Sequence, residues 1–408
     1  MVTYSAIGVE EPEQTGSRRS SLYKLALYLA LFQALGGTVG TMNLIGTETG
    51  SFALRMGLIL SAVLLCISIS GRIVKLPLTL TAFILASLPG MNIGNLLPQQ
   101  IVQIGILSIF TFSYVNINSA FSPLDFHRAL SRLIIFMCTV SIVLYFLGLE
   151  GARAGEMYSR NIVGGDPLVG IFQHKIESGY YAVIGAIALY FSPVRNKYRQ
   201  AALYIPLFVV LVLSGSGTGL ALAVITPFIL FLARLKTSLV VISLLVCSLI
   251  LPGILYLWGD DILSLGVSLV GRSTDLTGRT DFWEVGFELF RERPLFGWGF
   301  GILFGPDGLL SQIGMVVGSD TYTAPHFHNS YLQILVEFGL VGFIPFSIIL
   351  FLNSRHILIN LKDRELLPIW IVTLILGATS YNLYPWQFGW LFLCFLVTRQ
   401  MQIKRAWT

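Results

Sequence analysis

A short polar segment late in the chain holds the residues best suited to proton transfer. Residues 324–329 read APHFHN and run directly into an apolar stretch. A neutral imidazole at such a boundary, above all that of His328, can take a proton from a hydroxyl group, which accelerates a reaction about 10²–10⁴-fold. The alternative is a structural histidine at a membrane interface. His326 and His328 also suggest a metal site, but no third ligand follows at a usual spacing.

An arginine precedes an amphipathic segment that ends before these histidines. From Asp281 to Arg293 apolar and charged residues recur at helical spacing, which predicts a helix lying along the membrane surface. Thr280 is the predicted N-cap and Pro294 the predicted stop. Arg279 then stands just before a helix N-terminus, where anions are favoured, and its guanidinium is suited to binding phosphate. A surface arginine without a function is the alternative.

A glycine-rich segment follows this helix. Residues 294–301 read PLFGWGFG, so that Gly297, Gly299 and Gly301 alternate with aromatic residues. Glycines in this arrangement let a ligand approach the backbone closely. They also suit a tight turn in the membrane interface, where tryptophan is common. A phosphate-binding P-loop is excluded, because no Lys-Ser or Lys-Thr pair follows.

The composition of the whole chain predicts which elements must position these residues. Among 408 residues only 12% are charged, 55% are hydrophobic, and the mean hydropathy is +0.77. Soluble domains contain about 25% charged residues, so a soluble enzyme, a disordered chain and a collagen are excluded. The four cysteines lie in apolar runs without a C-x-x-C pair, which argues against a disulfide framework or a zinc site.

Apolar runs long enough to cross a bilayer, which takes about 20 residues, follow one another along the chain. We predict an all-α, polytopic membrane protein with about twelve transmembrane helices and one large outer loop. The predicted spans are 22–42, 52–70, 73–90, 97–117, 129–148, 169–191, 201–213, 220–234, 237–258, 329–352, 366–381 and 386–398.

The basic residues orient this bundle. Most of the 26 Lys and Arg residues fall on one side if the N-terminus is placed in the cytoplasm, which predicts that both termini are cytoplasmic. The net charge of +5 is thereby explained by topology, and we expect no nucleic-acid partner. The predicted parts are a disordered cytoplasmic tail (1–21), nine transmembrane helices (22–258), a large outer loop with the amphipathic helix (259–328), and three further helices with a short tail (329–408).

Three segments in this order resemble a known family. His328-Asn329 followed by Gly339 and Gly342 is similar to the signature of the O-antigen ligase and O-antigen polymerase family. Residues 278–283 (GRTDFW) and 294–299 (PLFGWG) resemble the two segments that precede this signature in the family. Twelve helices with one large outer loop also resemble it.

The resemblance implies a metal-independent glycosyltransferase of the integral-membrane, GT-C-like type that uses no cofactor. Its donor would be an oligosaccharide on undecaprenyl pyrophosphate, and its acceptor a glycan hydroxyl at the periplasmic face of the bacterial cytoplasmic (inner) membrane. His328 would be the base that activates the acceptor, and Arg279 would bind the donor pyrophosphate. Residues in supporting positions are His326, Asn329, Glu337, Gly339 and Gly342.

One departure from the family pattern concerns the second cation expected near the pyrophosphate. Many members have Ser-Arg after a mid-chain outer turn, whereas residues 213–219 read LSGSGTG here. Lys175 and Arg160 are the candidates to replace that arginine. An ionisable residue in a membrane helix is suspected of function, although Lys175 could instead pair with Glu177 or extend to the interface. Glu337 is expected to hold His328 or Lys175, or to face a wet groove.

A second resemblance distinguishes the possible reactions. Residues 170–175 (GIFQHK) are similar to a segment of exopolysaccharide polymerases, with Ile176 replacing an asparagine. We therefore favour a polymerase over the closely related ligase, which would transfer the glycan to lipid A-core. A transporter or flippase is the third hypothesis, but the halves of the chain show no repeat. A chain-length regulator is a further partner expected only by analogy with the family.

Overall fold

The computed structural model describes residues 17–45, 49–70, 73–88, 97–155, 161–243, 279–301, 303, 326–385 and 387–406. Some helical residues within these ranges, Arg279 among them, are described by their backbone alone. Arg160, most of the large outer loop and the second part of the ninth predicted span lie outside the described residues.

The regular elements of the described part are helices, so the all-α prediction is confirmed for it. Two 3₁₀ segments, Glu150–Ala152 and Leu361–Leu366, occur between α-helices, and residues 237–243 are also helical. The α-helices are α1 (Ser17–Ala34), α2 (Gly37–Ile45), α3 (Thr49–Ile69), α4 (Leu78–Leu85), α5 (Leu97–Asn118), α6 (Pro123–Phe146), α7 (Lys175–Phe191), α8 (Lys197–Ser214), α9 (Gly217–Leu232), α10 (Arg279–Glu292), α11 (Ser330–Ile359), α12 (Leu367–Thr379) and α13 (Phe388–Ala406).

Several of these helices suit a multi-pass membrane protein. Four contain a segment that is long and apolar enough to cross a bilayer: Gln100–Asn118, Pro123–Phe146, Lys197–Ser214 and Ser330–Ile359. Three shorter apolar helices join them, Ile59–Ile69, Gly217–Leu232 and Phe388–Ile403. The total of twelve spans and the GT-C-like arrangement stay predictions.

Two predicted spans in the N-terminal part of the chain, the first and the third, are shorter or broken in the structure. The first is interrupted at Gly36, whose φ of 77° lies in the left-handed region, and it continues as α2. The third contains only α4, because the backbone before it is extended. The amide of Val74 donates to Asn116 Oδ1 at 2.6 Å, and Pro77 disfavours helical geometry in the residue before it.

The sixth predicted span also begins later than expected, at Lys175. Gly170 has a φ of 65°, and a Cβ there would lie 2.1 Å from Ser141 Oγ. The Ile171 amide donates to the same hydroxyl at 3.0 Å. This close approach keeps the chain out of helical geometry until His174, whose Nδ1 caps α7 by accepting from the Ile176 amide at 3.2 Å.

Helix α7 lies at the centre of the described bundle, packed against α6, α8, α9 and α12. Small residues permit the tightest of these contacts. A Cβ on Gly219 of α9 would lie 2.8 Å from the carbonyl carbon of Gly179 in α7. A Cβ on Gly179 would lie 2.3 Å from Ser216 Cβ. Such small-residue contacts are typical of helices that pack closely within membranes.

Candidate active site around His328

His328 adopts a backbone conformation that side chains other than glycine rarely take. Its φ is 52°, and among the described residues no other non-glycine residue has a positive φ. This conformation costs about 1–2 kcal/mol for an L-residue. The His328 amide donates to His326 Nδ1 at 3.0 Å, which closes a tight turn over the two histidines. The His326 ring therefore carries no proton on Nδ1, and the surrounding structure must compensate for the strain.

Asn329 begins α11 as its N-cap. Its Oδ1 accepts from the amides of Tyr331 and Leu332 at 3.0 and 3.1 Å. The next residue, Ser330, is tied to the segment after α12, because its hydroxyl donates to the Ser380 carbonyl at 3.0 Å. The supporting position of Asn329 thus has a structural explanation: this side chain fixes the point at which the chain enters the helix.

A buried network lies behind the histidine turn. The Phe327 amide donates to Gln333 Oε1 at 3.3 Å, and Gln333 Nε2 donates to Glu337 Oε1 at 2.7 Å. The Tyr384 hydroxyl donates to Glu337 Oε2 at 2.5 Å. Glu337 is only 2% exposed, so it does not face a wet groove. Its carboxylate reaches the backbone next to His328 through a single intervening side chain.

Aromatic rings complete the surroundings of the two histidines. The His326 ring stacks on Tyr381 with centroids 4.6 Å apart, and Tyr381 stacks on Tyr384 at 4.1 Å. The His328 ring meets the His326 ring edge-on at 4.3 Å and lies 6.2 Å from Phe282. His328 remains half-buried. The sequence analysis did not identify Gln333, Tyr381 or Tyr384 as part of the candidate site. The aromatic cluster YNLYPW at 381–386 was the feature that could have indicated the two tyrosines.

The glycine-rich segment pairs with a break in α11. Gly339 interrupts the helix with φ 59° and ψ −166°. The amides of Trp298 and Gly299 donate to the carbonyls of Val336 and Glu337 at 3.0 and 2.9 Å. In the other direction, the amides of Leu340 and Val341 donate to the carbonyls of Pro294 and Leu295 at 2.9 and 3.0 Å. The segment therefore satisfies backbone groups that the break in the helix leaves open.

Glycine is required on both sides of this pairing. A Cβ on Gly297 would lie 2.4 Å from the Glu337 carbonyl oxygen, and a Cβ on Gly339 would lie 2.4 Å from the Leu295 carbonyl oxygen. A Cβ on Gly342 would lie 2.3 Å from the Cβ of Phe338. The segment forms turns that approach the backbone of α11 closely. Close approach to a ligand stays a prediction.

Helix α10 docks on the first turns of α11. Its Phe282 and Leu289 form a buried cluster with Leu332 and Val336, and a Cβ on Gly286 would lie 2.7 Å from Leu332 Cδ2. Two indole groups fix this contact. Trp283 Nε1 donates to the Phe327 carbonyl at 3.0 Å, and Trp298 Nε1 donates to the Leu289 carbonyl at 2.8 Å.

The docking brings the N-terminal turn of α10 to the histidine turn. Arg279 is the first residue of α10 and lies one helical turn before Phe282. The Phe282 ring centroid is 6.2 Å from that of His328. The Arg279 side chain lies outside the described residues. Thr280 is already helical, so its prediction as the N-cap is wrong: the helix includes at least one residue more than the apolar pattern indicated.

Lys175 lies at the start of α7 and is 4% exposed. The serine- and glycine-rich turn at 214–219 packs beside it, since Ser216 Oγ donates to the Ile176 carbonyl at 3.2 Å. Further along α7, the Tyr180 side chain contacts that of Ser380, next to the start of α11.

Glu177 Oε2 is buried without a hydrogen-bond partner among the described residues. Arg160 cannot be placed, because it lies outside them.

A metal site is not formed by the described residues. Nowhere in the described ranges do three His, Cys, Asp or Glu side chains lie close enough together to hold one ion. The metal independence implied by the resemblance stays a prediction.

Comparisons with known proteins agree with the motifs. Residues 202–347 match the family model described as O-antigen ligase, a range that includes α10, the glycine-rich segment, His328 and the break in α11. The chain is also 28% identical over 159 residues to the exopolysaccharide production protein ExoQ of Rhizobium meliloti (strain 1021). This alignment covers 34% of the chain and 35% of the relative, so the chain spans about a third of the relative's length. The resemblance to the O-antigen ligase and polymerase family is confirmed.

Proposed function

We propose, from this family as the premise, that the chain is a membrane glycosyltransferase that polymerises a bacterial surface polysaccharide. It would transfer a glycan from undecaprenyl pyrophosphate to a hydroxyl of an acceptor glycan at the outer face of the cytoplasmic membrane. The family itself indicates a membrane enzyme of the ligase or polymerase type. The substrates and the direction in which the site faces are part of the proposal.

The observation that carries the proposal is the strained, multiply supported turn at His328. A non-glycine residue at φ 52° persists only where its surroundings over-determine it, and such strain is concentrated at functional sites. Here the supports are the His326 ring, the Asn329 cap and the Gln333–Glu337–Tyr384 network. A histidine that served only to fill space would not require them.

In the proposed reaction the His328 imidazole takes the proton from the acceptor hydroxyl. The hydroxyl oxygen then forms a bond to the anomeric carbon of the donor sugar, and the bond from that carbon to the pyrophosphate oxygen breaks. The leaving group is undecaprenyl pyrophosphate, and the proton stays on His328 until it passes to water. A base matched to neutral pH accelerates such a step about 10²–10⁴-fold.

Cations would stabilise the pyrophosphate as it leaves. Arg279 is our first candidate, because the N-terminal turn of α10 combines a guanidinium with the positive end of a helix dipole. Lys175 is the second, since it begins α7 beside the turn that lacks the family's arginine. Arg160 is the third, on its position in the sequence alone.

The polymerase is favoured over the ligase by two segments that resemble exopolysaccharide polymerases more than lipopolysaccharide ligases. The segment at 170–175, which resembles exopolysaccharide polymerases, leads into a helix start that hydrogen-bonds to the turn at 214–219. The segment at 170–175 and the turn at 214–219 are thus in contact through the start of α7. The relative named for exopolysaccharide production points in the same direction. Transfer to lipid A-core is the alternative, and a flippase is a weaker one.

Surface glycan from a strain that lacks the gene, complemented with wild type or His328→Ala, tests the proposal. We expect the variant to reach the membrane in normal amount and to make no long-chain glycan. Loss of a polymerase leaves lipid A-core carrying a single repeat, or no exopolymer. Loss of a ligase instead leaves polymer on its carrier lipid, and long chains of normal amount from the variant would contradict the assignment of His328.

A further inference from the structure

A cavity with a basic mouth lies at the opposite end of α7 from Lys175. Its volume is about 490 Å³, and it is formed where α6, the end of α7 and the start of α8 meet. The 17 residues of α7 separate it from Lys175 by about 25 Å, at a rise of 1.5 Å per residue. The cavity is therefore distinct from the candidate active site.

Three arginines supply the charge of this cavity. Arg128 and Arg132 are four residues apart on α6 and so lie on one face, while Arg199 comes from the first turn of α8. None of the three guanidinium groups forms a salt bridge or a hydrogen bond with the described part of the chain. The described residues that line the cavity include no carboxylate. Three guanidiniums that line one space, without a carboxylate partner in the described part of the chain, favour a phosphate group.

Apart from Ser131 and Ser192, the remaining lining is apolar, and part of it lies on the exposed surface of α6. Ile135 and Phe136 lie one turn beyond Arg132 on α6, and Leu203 lies one turn beyond Arg199 on α8. Phe136 is 59% exposed, and α6 is one of the helices long and apolar enough to cross a bilayer. The lining of the cavity thus combines three arginines with apolar side chains suited to contact acyl chains.

We propose that this cavity binds an anionic glycerophospholipid. The phosphate would lie among the guanidiniums of Arg128, Arg132 and Arg199, and the acyl chains would run along Phe136 and Leu203. Retention of basic residues on one side of the membrane accounts for arginines in this region, but it does not require them to converge on a cavity. The site is independent of the glycosyltransferase activity proposed above.

Native mass spectrometry of the detergent-purified full chain tests the site, with dioleoyl phosphatidylglycerol and dioleoyl phosphatidylcholine as probes. We expect tighter binding of phosphatidylglycerol, weakened about fivefold by Arg132→Gln and about 25-fold by Arg132→Gln with Arg199→Gln, since each cation near a membrane surface contributes about 1 kcal/mol. Equal binding of the two lipids by the wild type would overturn the proposal.

Matched variants separate this site from general charge. Arg195→Gln with Lys197→Gln removes the same charge from neighbouring residues that do not line the cavity, so lipid binding should not change. Leu203→Trp fills the cavity without changing charge and should weaken binding at least tenfold. Equal losses in the two double variants, or unchanged binding by Leu203→Trp, would contradict the site. Displacement of the lipid by equimolar glycerol 1-phosphate would show that it binds soluble anions instead.

Discussion

The two ends of α11 are held by different kinds of interaction. At its N-terminal end the Asn329 cap and the buried Gln333–Glu337–Tyr384 network are joined by hydrogen bonds and lie next to a half-exposed histidine. At its C-terminal end, His356 Nε2 lies 2.7 Å from Asp363 Oδ2, and Arg399 Nη2 donates to Asp363 Oδ1 at 2.9 Å.

The C-terminal end is an anchor formed by charged groups. Asp363 is fully buried, and Arg364 beside it donates to the carbonyls of Leu358 and Leu235 at 2.8 and 2.9 Å. These bonds tie the end of α11 to the segment after α9 and, through Arg399, to α13. The acceptors of Asp363 are occupied by protein donors, so this end can do little besides hold the bundle together.

The difference shows that a histidine near a carboxylate can either help to hold the bundle together or remain available to a substrate. His356 contacts its carboxylate directly, and its ring is only slightly exposed. His328 has its carboxylate two hydrogen bonds away, behind the backbone of Phe327, and is partly exposed, as His356 is. A histidine that acts as a base on a large substrate must be held in place by contacts on its buried side, while its ring stays accessible to the substrate.

The largest expected effect separates the two histidines. His328→Gly should lower glycan synthesis per folded molecule by about 10²–10⁴-fold, because the proposed base is lost. Its unfolding free energy in detergent should stay unchanged or rise by about 1 kcal/mol, since glycine adopts the positive φ without strain. Imidazole added to the medium should restore part of the activity, which a purely structural role would not allow. His356→Ala is the control, with lower stability and normal activity per folded molecule.

Breaking the anchor should affect stability alone. Asp363→Ala leaves Arg399 without its buried partner, a change that costs about 3–5 kcal/mol. We expect a lower amount of protein in the membrane and earlier thermal unfolding in detergent. Glycan made per folded molecule should match the wild type. A large loss of specific activity would show that the two ends of α11 are coupled.

Weakening the network behind His328 should instead lower the specific activity. Tyr384→Phe keeps the ring stack on Tyr381 but removes the hydroxyl that donates to Glu337, at a cost of about 2 kcal/mol. Because Glu337 then holds Gln333 and the Phe327 amide less firmly, specific activity should fall about tenfold. Trp370→Phe, which removes the indole donor to Ser354 Oγ near the C-terminal end of α11, is a control of similar stability cost. Equal specific activity in both variants would argue against a positioning role for the network.

The sequence indicated the segments of the site but not how they fit together. The histidine turn, α10 and the glycine-rich segment each follow from local spacing, and all three lie together in the structure. The pairing of residues 294–299 with the break at Gly339 depends on backbone contacts between distant parts of the chain, which local periodicity does not encode. Tyr381 and Tyr384 were missed for the same reason, since they reach the site only through the packing of α12 and α13.

The predicted span boundaries were wrong where a side chain from a distant part of the chain hydrogen-bonds to the backbone in place of a helix. Asn116 accepts from the Val74 amide before α4, and Ser141 accepts from the Ile171 amide before α7. Apolar composition alone cannot show this, because both segments are hydrophobic enough to continue as helices. The serine- and glycine-rich turn at 214–219 is a further case: its lack of arginine was visible in the sequence, but its contact with Ile176 was not.

The smallest effect expected is a pH dependence confined to the anchor. Burial of the Asp363 carboxyl opposes its ionisation, but hydrogen bonds and charge from His356 and Arg399 outweigh this and hold its pKa below the usual range. A carboxyl whose pKa is lowered by folding stabilises the protein above its unfolded pKa of about 3.9, and this contribution is lost as the pH falls through the folded value. Thermal unfolding in detergent between pH 7 and pH 3 should therefore show an acid-induced loss of stability that is smaller in Asp363→Asn. An identical acid dependence in the variant would assign the loss to other carboxyls and leave the Asp363 anchor without a pH-dependent contribution.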